Sequence, residues 1–330
     1  MAFKPTLALL AARTAAAVAL AAAVLPALAA DPFPSKEIRL VVPWNAGGSN
    51  DISARALSQI AAEDGVRIIV DNVPGATGTI GMTKVANAEP DGYTIGMGTS
   101  STLAQIAQGL TPLKNDKFVP IARVTTDPLI LLVPANSPYG TLESFIAHVK
   151  QNPGKVSIGI PGTNNLNHIF AVMTGRAAGS ETLAVPYTGG SKVIADLAGK
   201  QIQAGVLKPS ESKSQIDGGL VKPIAVFGNE RLKSMPDVPT FKEKGYDVFP
   251  YGPLVQMAYI VAPAGTPPAV REKLIAMFHK YIQNPKFKAS SDAGGALVDD
   301  LTGAALGREI DAVTRSLTEV GKKVFVAEKK

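Results

Sequence analysis

The stretch Val41-Val42-Pro43-Trp44-Asn45-Ala46-Gly47-Gly48-Ser49-Asn50-Asp51 has the residue types for holding an anion without acting on it. Ile38, Leu40, Val41 and Val42 predict a buried strand, and the Gly-Gly pair predicts a tight turn. Ile52, Ala56, Leu57 and Ile60 then predict the apolar face of a helix. Gly47 and Gly48 let the backbone come close to a ligand. The first amides of the helix, at the positive end of its dipole, point at whatever lies beyond the turn. A carboxylate or a phosphate suits that place. The nucleotide motifs are missing, since no lysine follows the turn as in a P-loop and the spacing is not G-x-G-x-x-G. The chain has no cysteine and only His148, His168 and His279, with neither a G-x-S-x-G elbow nor zincin spacing. These residues predict binding without conversion, with no cofactor and no metal.

The elements that must position such a site recur along the chain. Residues 67–70 form a second apolar run, followed by a turn over 71–77 and a helix from about Gly78 to Ala88. Residues 93–97 lead to the hydroxyl cluster Thr99, Ser100, Ser101 and Thr102 at another helix start. Residues 156–160 lead through Pro161-Gly162-Thr163-Asn164-Asn165 to a helix carrying Ile169, Phe170, Val172 and Met173. Residues 183–185 lead through Tyr187-Thr188-Gly189-Gly190 to a helix with Val193, Ile194 and Leu197. Strands alternating with helices predict an α/β fold of mainly parallel sheets flanked by helices. Ligands bind outside the carboxyl ends of such strands, where these turns lie. Each turn alone also serves backbone geometry.

Punctuation at Asp127-Pro128 and at residues 234–240 divides the chain, and a late strand over 258–261 precedes a helix from about Ala269 to Gln283. This order predicts two lobes joined by crossover strands. Residues 31–130 are the first part of lobe 1, 131–230 are lobe 2, and 231–330 return to lobe 1 and end in helices.

Residues 1–30 read as a signal peptide. Lys4 and Arg13 precede an uncharged apolar run that ends in Ala27-Leu28-Ala29, so a cut is expected after Ala29 or Ala30. No cysteine stands there for a lipid anchor, and the expected compartment is a bacterial periplasm. The net charge of +6 falls to about +4 without that segment. The basic residues are scattered without aromatic interleaving, which argues against nucleic acid. A mild positive balance steers anions weakly.

Six segments together resemble the Bug-type periplasmic receptors of tripartite tricarboxylate transporters. They are FPSKEIRLVVPWNAGGSNDISAR, VDNVPGATGTIG, AEPDGYTIGMG, VPYTGGSKVIADLAGKQIQAG, MPDVPTFKEKG and APAGTPP, spread over residues 33–268. The resemblance implies a two-lobed binding protein of type II-like topology, closing an interlobe cleft on a small carboxylate. That ligand could be a dicarboxylate, a tricarboxylate or an aromatic acid. It also implies a monomer that delivers the ligand to membrane permease subunits. By motif position it points to Asn45, Ala46, Gly47, Gly48 and Ser49, to Gly75, Ala76 and Thr77, and to Thr99 and Ser100. From the second lobe it points to Thr163, Asn164, Asn165 and Tyr187. The alternatives are a sensor signalling to a membrane kinase and an exported α/β hydrolase.

Two single residues each admit two roles. Trp44, the only tryptophan, either packs near a hinge or stacks on a ligand. The resemblance implies a small or acidic residue at the strand end before Pro209-Ser210, where this chain has Leu207-Lys208. Lys208 is either a counter-charge for a second carboxylate or a solvated lysine at a strand end. Asp51 is expected to cap the first helix, Arg55 to pair with an acidic neighbour, and His168 to be a hydrogen-bonding core residue.

Overall fold

Apolar runs bounded by glycine turns build two sheets. The computed structural model describes residues 33–252 and 254–325, so the expected signal segment lies outside the described residues. The first series is β1 (Ile38–Val42), α1 (Ser49–Glu63), β2 (Ile68–Asn72), α2 (Thr79–Ala86), β3 (Thr94–Thr99), α3 (Ser100–Ala107) and β4 (Phe118–Thr126). The second is β5 (Leu129–Pro134), α4 (Leu142–Gln151), β6 (Ser157–Pro161), α5 (Leu166–Ala177), β7 (Leu183–Tyr187), α6 (Gly190–Ala198), β8 (Ala204–Leu207), α7 (Pro209–Asp217) and β9 (Val221–Phe227). The chain then supplies β10 (Met257–Pro263), α8 (Pro268–Ile282), α9 (Pro285–Ala293) and α10 (Gly303–Val324).

The sheets share one plan. Their orders are β2-β1-β3-β10-β4 and β7-β6-β8-β5-β9. In the first sheet β10 runs against both its neighbours while β1, β2 and β3 are parallel. In the second, β5 runs against both of its neighbours while β6, β7 and β8 are parallel. The fold is therefore two α/β lobes with mainly parallel sheets, and the antiparallel strand of each sheet is the one that follows a crossover. Helices cover the sheet faces, which is why β5 and β10 are buried at every position. Each large apolar side chain buried this way contributes about 1.5–3 kcal/mol.

Two local expectations are corrected by packing. The buried apolar face of α1 is Ala54, Leu57, Ile60 and Ala61, whereas Ile52 is 50% exposed. The chain also stays with the second sheet past residue 230. Val226 donates its amide to the Pro239 carbonyl at 2.9 Å, Phe241 stacks on Phe227, and Lys244 pairs with Glu143. Re-entry to the first sheet comes at Met257. The two crossovers meet where the Asp127 amide donates to the Gln256 carbonyl at 2.8 Å.

The last helix was not legible as a single element. Leu306, Ile310, Val313, Leu317, Val320 and Val324 make the buried stripe of α10. It packs on α3 and β4, and its end reaches the second lobe, where Phe325 tilts against His168 and Arg176 donates to the Lys323 carbonyl. Among the described residues no helix is long and apolar enough to cross a membrane.

Candidate ligand site between the lobes

The first turn and the start of α1 form one wall of a cavity of about 320 Å³. Trp44, Asn45, Ala46, Gly47, Gly48 and Ser49 all line it, and Ile52 adds an apolar contact from the helix. Gly47 has φ +82°, the left-handed backbone that the turn requires. Gly48 precedes the helix in an extended conformation (φ −79°), and no side chain caps the amides beyond it. Gly48, Ser49 and Asn50 line the cavity at this helix start, where the first amides have no intrahelical partner and the positive end of the helix dipole lies.

Asp51 does not cap that helix. Its carboxylate accepts from the Gly47 amide at 2.9 Å, from Arg55 at 2.9 Å and from Asn72 at 3.0 Å. Burial works against the charge, but these partners prevail and hold the carboxyl below its usual range. Asp51 thus braces the turn from behind, and Arg55 has the acidic partner expected of it.

The opposite wall comes from the second lobe. Thr188, Gly189, Gly190 and Ser191 line it at the start of α6, which also has no side-chain cap. Two uncapped helix starts, one per lobe, therefore border one cavity. The lobes also touch directly, because Asn45 Nδ2 donates to the Thr188 carbonyl at 3.5 Å.

Between the walls lies a buried charge cluster. Lys208 Nζ is 3.4 Å from Asp127 Oδ2 and donates to Ser49 Oγ at 3.1 Å. Ser49 in turn donates to Glu211 Oε1 at 3.4 Å. Lys208 is only 4% exposed, so it is not a solvated lysine, and its charge already has a partner in Asp127. Burial pushes the Glu211 carboxyl up, Lys208 partly offsets this, and Asp127 pushes it further.

Buried polar atoms without a partner concentrate here. Trp44 Nε1, Ser210 Oγ, Glu211 Oε2 and Gln256 Oε1 have none, and all four residues line the cavity. An unpaired buried polar group costs about 1–3 kcal/mol. Such a cluster in one cavity marks a place suited to a polar ligand.

Thr99 lines the cavity while accepting from the Thr102 amide at 3.4 Å. The other residues expected at the site stand outside its lining. Gly75, Ala76 and Thr77 form a neighbouring turn whose Thr77 carbonyl accepts from Thr102 Oγ1 at 3.3 Å. Ser100 is fully buried, donating to the Val255 carbonyl at 2.7 Å and accepting from the Met257 amide at 3.1 Å. Gln105 donates to the carbonyls of Thr163 (3.0 Å) and Asn164 (3.1 Å). Asn165 caps α5 by accepting from the His168 amide at 2.9 Å. Tyr187 donates its hydroxyl to Asp196 at 2.8 Å, and burial followed by this contact pushes the phenol up to about 12. These residues hold the walls rather than form their inner surface. His168 accepts from the Asn164 amide at 3.1 Å, and burial pushes its imidazole down to about 4, so it is a neutral core residue at neutral pH.

The turn Thr188-Gly189-Gly190, expected on the ligand side of its sheet but assigned no contact, lines the cavity, and Ser191, Ser210, Glu211 and Gln256 join it without having been expected there. The Thr188-Gly189-Gly190-Ser191 turn carried the same signal as Ala46-Gly47-Gly48-Ser49. Glu211 carried one too, as an acidic residue in the first turn of a helix.

A cavity between two lobes of this topology, with helix starts on both sides, defines a two-lobed solute-binding protein. Residues 53–300 match the profile described as Tripartite tricarboxylate transporter family receptor, and the chain belongs to that family. It is a solute-binding receptor, not an enzyme. A UPF0065 protein of Bordetella pertussis is 35% identical over 248 residues, covering 74% of this chain and 76% of the relative. The structure described as periplasmic binding protein BugD has a TM-score of 0.79 at 30% identity, covering 89% of this chain and 99% of that one. MatC from Rhodopseudomonas palustris, solved with bound malate, has a TM-score of 0.80 at 26% identity, with 88% and 100% covered.

Proposed function

We propose that the chain captures a small carboxylate in this cleft, in the periplasm, and delivers it to the permease subunits of a tripartite transporter. One observation carries the reading: two uncapped helix starts, from α1 and α6, border a cavity that also holds four unpartnered buried polar atoms. Backbone amides at such positions stabilise an anion without charge balance from arginine. Hydrogen bonds to a charged group contribute about 1.5–3 kcal/mol each, and a micromolar Kd requires about 8 kcal/mol net. Four or five bonds drawn from both lobes reach that figure, whereas one wall alone falls short. Affinity and closure are then coupled. The malate bound by MatC is in keeping with this ligand class.

A thermal-shift screen of mono-, di- and tricarboxylates and aromatic acids tests the reading. An acid present at about 100 times its Kd adds about 2.7 kcal/mol to stability and raises Tm. A flat response to every acid, confirmed by calorimetry, overturns it.

A further inference from the structure

The cluster beside the cavity holds two carboxyls and one ammonium. Asp127 is paired with Lys208, and Glu211 Oε1 accepts from Ser49. Glu211 Oε2 is buried without a partner, in a residue that lines the cavity. It lies against the first turn of α6: a Cβ built on Gly190 would come within 2.7 Å of Oε2. Around Glu211, the crossover contributes Asp127, the β8–α7 junction contributes Lys208, α1 contributes the neutral Ser49, and α6 contributes backbone. Asp51 of α1 is turned to Gly47 and Arg55, Asp196 of α6 accepts from Tyr187, and Lys213 and Asp217 of α7 pair with each other. Lys192 of α6 is exposed, and among the described residues Lys208 is the only buried cation, already paired with Asp127, so the buried side of this spot holds no further positive charge.

An anion arriving at the start of α6 therefore meets a carboxyl oxygen. Two carboxylates in contact cannot both stay ionised, and a proton held between them turns repulsion into a hydrogen bond. We propose that Glu211 receives the bound acid's carboxylate in its protonated, hydrogen-bond-donating form, so that capture of the anion takes up one proton. This rests on the carboxylate reading of the cleft. The balance is simple: one proton leaves the buffer and resides on Glu211 Oε2, shared with the acid. Burial already favours the neutral form of Glu211 before an acid arrives, so uptake sets in above that raised midpoint. Affinity is then greatest below the carboxyl's midpoint and declines as pH rises through it, by about tenfold per pH unit at the limit.

The test is calorimetry of the intact protein with succinate, aspartate and the tightest acid from the screen. Each titration runs in two buffers of different ionisation enthalpy, over a pH series. The expected result is proton uptake that grows toward one per bound acid as pH rises, with Glu211→Gln binding succinate or the screened acid almost independently of pH. Gly190→Ala supplies a second variant that leaves Glu211 in place. Its methyl displaces only the flexible end of Glu211, so the fold is retained while proton uptake falls. Binding without uptake at any pH overturns the proposal. So does aspartate binding that Glu211→Gln abolishes, which would assign Glu211 to an ammonium group instead. If no acid binds at all, the carboxylate reading has failed and this inference falls with it, a result distinct from binding without uptake.

Discussion

The two walls of the cleft share an uncapped helix start but differ in what they add to it. The first lobe presents mostly backbone, with Asn45 to Ser49 bending around Gly47 and the uncapped start of α1 behind them. The second lobe also brings an uncapped helix start, that of α6, but adds charged side chains to it, Lys208 and Glu211, tied to Asp127 at the crossover. A backbone amide cannot titrate and cannot swing away, so the first wall suits any carboxylate of the right size. A buried carboxyl–ammonium cluster is conditional, because its charge depends on its neighbours. The lesson is a division of labour, with recognition of the class on one side and selection within it on the other.

The heaviest blow to this contrast falls on the second wall. Lys208→Met removes the one cation between Asp127 and Glu211 and leaves Asp127 buried without its partner. A loss of about 3–5 kcal/mol is expected in urea unfolding. A change confined to dicarboxylate affinity, with stability intact, would instead make Lys208 a free counter-charge. The first wall is broken by Gly48→Asp. Gly48 has extended φ, and a Cβ there meets only the Asn45 carbonyl, at 3.5 Å, so the fold tolerates the change. The new carboxylate stands in the amide cradle and lowers affinity by about 100-fold or more, roughly 3 kcal/mol, with native circular dichroism.

The scaffold of the second wall gives a pH-dependent effect. His168 is depressed to about 4 from its ordinary 6.5, so the unfolded chain binds the proton more readily. Stability is therefore full above about pH 6.5 and is lost as pH falls toward about 4, by on the order of 3 kcal/mol. Denaturant midpoints across that range should show the slope, and His168→Gln should flatten it. Least is expected from Ser49→Ala, which removes the hydroxyl between Lys208 and Glu211. About 1 kcal/mol of closed-state stability should go. Small-angle scattering without ligand would then show a larger open fraction, whereas an unchanged profile would make the bridge incidental.

Much of this was legible in the chain, for physical reasons. β1, β3, β6 and β10 are apolar runs ended by glycine, proline or hydroxyl turns, and helices of ordinary length separate them. The hidden parts violate that pattern. β4 contains Pro120 and Arg123, and the arginine is accommodated because it pairs with Asp299 and Glu309 of the C-terminal region. β9 contains Pro223. At the site, the Asn45–Ser49 turn was readable because its chemistry is local. The Asp127–Lys208–Glu211 cluster was not, because it joins residues from two distant segments, and only the crossover geometry brings them together. Asn165 had a site-like type but uses its side chain to cap its own helix, while Thr163 and Asn164 are engaged through their backbone by Gln105 and His168.

The strand orders also set a schedule for synthesis. The second sheet draws all its strands from residues 129–227, one uninterrupted stretch. The first sheet is different, because β10 belongs between β3 and β4 and is not made until residue 263. A nascent first lobe therefore holds two strands with unpaired edges waiting for a third, the kind of exposed template that invites wrong pairing. The later-made lobe can finish first, and the earlier-made one closes only when the chain comes back to it.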